Sequence, residues 1–203
     1  MNSGPTAERV YDALKDYLIT GNLRPGARLD PALLATPMAS SVTPVRDALH
    51  RLTGEGLVET RIGAGFYMPA IDEPALKDRY DWSASVLTIV VRMARIGSLR
   101  TIPTWSDHKD AQAAERSGAL FLALARRTGN GEHRLAVERL NDRMHAVRLA
   151  EPQILADIEA ELEQLASALI LTDYARVQRL IESYHRRRRR SAADIVRAMY
   201  RSE

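Results

Sequence analysis

The 203-residue chain contains no cysteine, which excludes disulfide staples, thiolate metal sites and cysteine nucleophiles. It also lacks a long apolar run: the longest, near residues 86–91, is far too short to cross a bilayer. The N-terminus shows no charged, then apolar, then small-residue order, so no secretory leader is expected and a cytoplasmic protein is the default. Catalytic signatures are missing as well. There is no G-x-S-x-G elbow, no glycine loop to cradle phosphate and no H-E-x-x-H pair. Carboxylates pair only along helix faces, as Glu159 and Glu163, where a solvated surface is the simpler reading. No catalytic residue is expected, and the chain is not read as an enzyme.

The length suits one large or two small domains, and 27% charged with 45% apolar residues fits a soluble globular protein. The formal net charge of +3 invites a nucleic-acid partner, but its distribution argues against bulk attraction. Residues 1–70 hold seven Lys/Arg (Arg9, Lys15, Arg24, Arg28, Arg46, Arg51, Arg61) and seven Asp/Glu (Glu8, Asp12, Asp16, Asp30, Asp47, Glu55, Glu59). The excess lies in the second half, with five arginines in a row at 186–190. Any affinity of the first seventy residues for DNA has to come from where they place their cations.

Residues 41–65, SVTPVRDALHRLTGEGLVETRIGAG, are the most informative stretch. Thr43 is a good N-cap, and Pro44 then falls at the first helical position, where its missing N–H costs nothing. Val45, Ala48, Leu49 and Leu52 recur at i, i+3, i+4, i+7 and form one apolar face. Gly56 supplies the left-handed residue that ends the helix. Residues 57–62 are a β-rich run, Gly63-Ala64-Gly65 a tight turn, and Phe66-Tyr67-Met68 a returning strand. Arg46 and His50 lie one turn apart, away from the buried face, so both can reach a groove. Upstream, Thr6 reads as the cap of a helix carrying Val10, Leu14 and Leu18, Gly21 as its stop, and Asp30-Pro31 as the start of a second helix. Helix, helix, recognition helix and wing describe a winged helix-turn-helix over residues 1–70.

At this point the chain resembles the GntR family of bacterial transcription regulators. The residues that carry the resemblance are Ala7-Glu8-Arg9-Val10-Tyr11, Ile19, Gly21, Leu23, Pro25-Gly26 and Leu29, then Leu34-Ala35, Ser41, Thr43-Pro44-Val45-Arg46, Ala48-Leu49, Leu52, Gly56-Leu57-Val58, Gly63 and Gly65. The resemblance implies double-stranded DNA as partner, with Ser41, Thr43, Pro44, Arg46 and His50 at the major groove and Gly63 letting the wing approach the minor groove. Two departures matter. Val42 and Ala32 stand where relatives usually place arginines, so the operator does not carry over from them.

Residues 71–203 read as all helix, at roughly 73–96, 108–127, 132–149, 152–171 and 174–200, with breaks at Gly97, 98–106, Gly129-Asn130-Gly131, Glu151-Pro152 and Thr172-Asp173. The predicted fold class is therefore mainly α: a winged helix-turn-helix followed by an all-α bundle for effector binding or dimerisation. Thr128-Gly129-Asn130, Thr172-Asp173 and the later His185 resemble the FCD domain of the FadR-like branch. Members of that branch often hold a divalent metal through one Asp and three His. The matching positions here are Ser117, Phe121, Leu162 and His185, and one imidazole cannot hold a metal, so the resemblance implies a lost metal site and no cofactor. His108, His133 and His145 show no ligand spacing. Phe121, Leu162 and His185 then line either a pocket for a hydrophobic effector or a filled-in dimerisation scaffold.

The arginines at 186–190 wrap around a helix and cannot all face one groove. A solvated segment pairing with Asp157, Glu159, Glu161 and Glu163 is the simpler reading, beside an auxiliary phosphate contact or a protein interface. Trp82 and Trp105 are read as packing residues, with a lid or interface role more plausible for Trp105. The expected protein is a homodimeric regulator, most simply a repressor, on a palindromic operator, with an unknown small-molecule effector and no membrane partner. The alternative is a dimeric protein-interaction scaffold with a vestigial winged helix.

Overall fold

Asp30 starts a helix as its sequence context predicts: Oδ1 accepts the Ala32 N–H at 2.8 Å, and Pro31 occupies the first turn. The structure, a computed structural model, describes residues 4–21, 23–61, 65–95 and 112–201. The chain divides into two units, Met1–Ile71 and Asp72–Glu203. In the first, helices α1 (Gly4–Thr20), α2 (Pro31–Ala35) and α3 (Val42–Gly54) accompany strands β1 (Arg28–Leu29), β2 (Glu59–Arg61) and β3 (Gly65–Tyr67). The strands form one antiparallel sheet in the order β1-β3-β2, with Leu29 and Thr60 both opposite Phe66. The two-stranded wing expected from sequence thus gains a third strand, because Arg28-Leu29 pairs with the free edge of β3.

Val10, Leu14 and Leu18 of α1 bury against Val45, Leu49 and Leu52 of α3, and Phe66 joins the same core. Polar ties fix the helix pair. Tyr11 donates to Glu55 at 2.5 Å, Lys15 meets Glu55 at 3.1 Å, and Arg51 meets Glu8 at 2.8 Å while lying over the Tyr11 ring. α3 ends as a Schellman motif: Gly56 has φ +74°, its N–H bonds to the Thr53 carbonyl, and the Leu57 N–H reaches Leu52. Two expected caps shift. Ser41, not Thr43, is the N-cap of α3, so Pro44 sits two residues deeper in the first turn, where N–H groups still lack intrahelical acceptors. α1 begins at Gly4, which puts Thr6 inside its first turn.

The second unit contains α4 (Glu73–Ala94), α5 (Ala113–Arg126), α6 (Gly131–Ala150), a 3₁₀ turn (Glu151–Gln153), α7 (Ile158–Ile170), α8 (Tyr174–Arg190) and α9 (Ala192–Arg201). Asp72, Asn130 and Asp173 cap α4, α6 and α8 through their side chains. α8 packs on α4 and α7, and α5 on α6 and α7, around Leu76, Leu87, Leu124, Leu162 and Ile181. Three boundaries differ from expectation. The helix predicted from residue 108 starts at Ala113, behind an extended Gln112. The helix predicted from residue 152 starts only at Ile158, because the 3₁₀ turn and the left-handed Asp157 (φ +57°) intervene. The predicted last helix breaks at Ser191, so that Ala192, Ile195 and Ala198 of α9 turn inward against α4 and α6. Residues 96–111, with Trp105 and His108, lie outside the described residues. Trp82, expected to pack, is exposed on α4.

The arginine run is also corrected. Arg188 is not solvated but wholly buried, between Glu151 and Glu161, each at 2.7 Å, with its guanidinium carbon 3.3 Å from the Tyr184 ring centroid. Tyr80 donates to the other oxygen of Glu151 at 2.9 Å. Burial works against the Arg188 charge, but Tyr184, Glu151 and Glu161 outweigh it and hold its pKa above the ordinary value. Burial and then the Glu151 charge push the Tyr80 phenol well up, so it stays a donor. Arg187 reaches the Ala156 carbonyl and Arg189 meets Asp81, whereas Arg186 and Arg190 are exposed. Glu161 is the one of the four proposed acidic partners that the run engages; Glu159 goes to Arg116.

Arg188→Met leaves Glu151 buried without its cation. Urea denaturation followed by far-UV circular dichroism should show a loss of about 3–5 kcal/mol. Arg189→Ala removes an exposed pair and should cost no more than about 1 kcal/mol. Equal effects of the two substitutions would contradict the assignment of Arg188 as the buried tie.

Candidate nucleic-acid interface

Burial of Val45, Ala48, Leu49 and Leu52 leaves the opposite face of α3 to solvent, and Arg46 and His50 stand on it. Beside that face lies the small sheet. Arg28, Asp30, Pro31, Arg46, His50, Thr60, Arg61 and Tyr67 line a groove of about 690 Å³ between the helix and the strands. The His50 ring meets the edge of Phe66 at a centroid distance of 4.9 Å, which orients it toward the sheet. The Arg61 guanidinium lies 4.3 Å over the Tyr67 ring, a cation–π contact that leaves its charge uncompensated.

The even charge count of residues 1–70 hides a strong asymmetry. Lys15 and Arg51 are paired with Glu55 and Glu8, and Arg9 donates to the Met38 and Ala39 carbonyls. Among the described residues no carboxylate lies within salt-bridge distance of Arg28, Arg46 or Arg61, and all three line the groove. Asp30 lines it too, but one of its oxygens is held by the Ala32 N–H. Sequence reading selected Arg46 and His50 and missed Arg28 and Arg61. Nothing local marks those two, because β1 was not foreseen and every residue of β2 is exposed.

Ser41, Val42 and Thr43 are exposed at the N-terminus of α3, and Pro44 is half-buried. The Ser41 side chain makes no capping hydrogen bond, so its hydroxyl and the first N–H groups of α3 remain open to an acceptor such as a phosphate oxygen. Val42 and Ala32 are exposed, so each departure removes a cation from the surface and not from the core. Gly63 lies outside the described residues.

In the second unit, Phe121, Leu162 and His185 are all buried. The Phe121 and His185 rings run nearly parallel, 6.2 Å apart, and Tyr184 meets Phe121 edge-on at 5.3 Å. His185 Nδ1 donates to the Ile181 carbonyl at 2.7 Å, which leaves Nε2 to accept from Ser83 Oγ at 3.0 Å. A divalent ion does not fit these residues. Phe121 and Leu162 carry no donor atom, Ser117 gives its proton to the Ala113 carbonyl, and both His185 nitrogens are engaged. Burial keeps the imidazole neutral, its pKa lowered to about 4.

Residues 6–68 match the family model described as bacterial regulatory proteins, gntR family. The Nta operon transcriptional regulator of Aminobacter aminovorans is 36% identical over 76 residues, 37% of this chain and 36% of the relative. The HTH-type transcriptional repressor GlaR of Escherichia coli is 33% identical over 84 residues, 41% of this chain and 38% of the relative. The chain thus matches little more than a third of the length of these curated relatives. The fold extends further: the E. coli McbR/YncC structure superposes with a TM-score of 0.70 over 93% of this chain and 97% of that one, at 20% identity.

His185 generates a pH dependence. Its pKa is about 4 folded and 6.5 unfolded, so between those values the unfolded chain binds the extra proton. The stabilising contribution is complete above pH 6.5 and is lost as pH falls toward 4, on the order of 3 kcal/mol in all. Unfolding free energy measured across that window should fall more steeply for the wild type than for His185→Gln. Parallel profiles would contradict the buried neutral imidazole.

Proposed function

We propose that this chain, whose residues 6–68 match the gntR family, is a sequence-specific DNA-binding transcription regulator, most simply a repressor. The observation that carries the reading is the groove beside α3. A unit with no net formal charge pairs or tethers Arg9, Lys15 and Arg51 and leaves Arg28, Arg46 and Arg61, among the described residues, without a carboxylate partner along one concave face. Arg46 addresses base edges in the major groove, where an arginine fork can meet guanine O6 and N7. Arg28 and Arg61 hold the flanking phosphates, which set register and carry no sequence information. Ser41, Thr43 and Pro44 seat the N-terminus of α3, His50 extends the reading face, and Gly63 lets the wing approach.

The regulator acts as a homodimer on a palindromic operator, since two-fold protein symmetry demands paired half-sites. Support comes from α4, where exposed Trp82 and Ile89 fall at i and i+7 between exposed Asp78 and Arg92, with exposed Met93 just beyond. Antiparallel pairing of two such helices about Ser85 brings Trp82 beside Ile89 of the second copy and sets Asp78 against its Arg92. The second unit is an FCD-like effector domain without a metal, the protein is not an enzyme, and it works in the cytoplasm. Among the described residues no helix is long and apolar enough to cross a membrane. Exposed Val42 and Ala32 favour the competing reading, a dimeric scaffold whose winged helix has lost its grip on DNA.

Selection of bound fragments from a random DNA pool should recover a palindrome that Arg46→Ala no longer enriches. On that palindrome, Arg28→Ala and Arg61→Ala should each flatten the slope of log K against log salt by about one while preserving sequence preference. No enrichment, or enrichment indifferent to Arg46, would leave the scaffold as the better account.

A further inference from the structure

The exposed part of α3 has two flanks. Thr43, Asp47 and Arg51 follow one another at i, i+4 and i+8 along the first, and Arg51 there meets Glu8 and lies over the Tyr11 ring. That flank is turned toward α1 and carries a carboxylate, so it does not suit a polyanion. Val42, Arg46 and His50 keep the same spacing along the second flank, and all three are exposed. Arg46 and His50 line the groove beside the sheet, so this is the flank that borders it. Val42 continues the row one turn toward the N-terminus of α3, beside the Ser41 side chain that makes no capping bond.

Isolated exposed apolar side chains are common and carry no message. The place of Val42, one turn before Arg46 on the groove flank, is what distinguishes it. It is 38% exposed and its side chain has neither donor nor acceptor, in a row otherwise made of an arginine and a histidine. A β-branched side chain on a helix is held in one strongly preferred rotamer, so its two methyls have a fixed direction. Base edges in the major groove offer such a side chain one apolar partner, the C5-methyl of thymine. The other bases present amino donors or ring and carbonyl acceptors there, which a valine would strip of water without replacing.

We infer that Val42 is a specificity-determining residue, whose methyls pack against the C5-methyl of one thymine in each half-site, close to the base that Arg46 reads. Four residues of helix rise about 6 Å and successive base pairs about 3.4 Å, so this thymine falls within about two pairs of the Arg46 position. Arg46 supplies charge and hydrogen bonds. Val42 adds an apolar selection for thymine that no cation can make. The inference rests on the DNA-binding reading and deepens it, turning the exposed valine from a missing contact into a contact of a different kind.

The test uses the full chain and the palindrome recovered by fragment selection, with each thymine replaced in turn by deoxyuridine. That replacement removes the methyl and keeps every hydrogen-bonding group of the base. Fluorescence anisotropy at fixed salt should reveal one position per half-site, within that distance of the Arg46 base, where the wild type binds about fourfold more weakly, the transfer value of one buried methyl group. Val42→Ala changes an exposed side chain and should lose most of that difference while keeping the preference set by Arg46. Val42→Arg, put through the same selection, should exchange thymine for guanine at that position. A palindrome with no methyl-sensitive thymine near the Arg46 base, or a methyl effect that persists unchanged in Val42→Ala, would overturn the inference and leave the DNA-binding reading standing. Failure to select any palindrome would remove both.

Discussion

A guanidinium keeps its proton throughout a protein interior, so each arginine must meet an anion, an aromatic face, a carbonyl or water. How this chain meets that constraint organises both of its units. Arg188 is the strictest case: wholly buried, it gathers Glu151 from the turn after α6, Glu161 from α7 and the ring of Tyr184 one helical turn earlier on α8. Tyr80 of α4 completes the knot through Glu151. Four segments are thereby tied at one point, and each depends on the others, because removing any partner strands a charge in a low-dielectric core.

The same constraint, left unmet, marks the candidate site. In the first unit Arg51 and Lys15 are absorbed by α1–α3 pairing, which leaves three of the remaining cations along one groove. Arg28, Arg46 and Arg61 come from a strand, a helix and a second strand, and only the fold places them along one groove. In the second unit Arg148 is held by Asn141 and Phe121, and no carboxylate among the described residues reaches it. A surface groove lined by arginines without carboxylate partners suits a polyanion that stays in solvent.

Much of the local architecture was legible. The apolar repeat Val45, Ala48, Leu49, Leu52 dictates which face of α3 is hidden, and hence that Arg46 and His50 are not. Asp30-Pro31 and Asp72 announce helix starts through capping chemistry that needs only nearby residues. Gly56 ends α3 because the left-handed backbone there suits a residue without Cβ. Less legible were β1, whose two residues acquire strand character by pairing with β3 some forty positions later, and the break at Ser191, which packing of α9 requires and which no glycine or proline signals.

The sequence by itself determined the winged helix, the helical second unit, the absence of thiol chemistry and the outward face of α3, because each follows from periodicity, capping or composition within a few turns of chain. It could not rank the five consecutive arginines at 186–190, since helical geometry gives neighbours different directions but does not say which direction is inward. Tertiary structure decided that Arg188 alone of the five is wholly buried, that Arg28 and Arg61 join Arg46, and that Arg148 is buried against the neutral Asn141. Those are properties of where distant segments meet, and burial and electrostatic pairing are set only when they do.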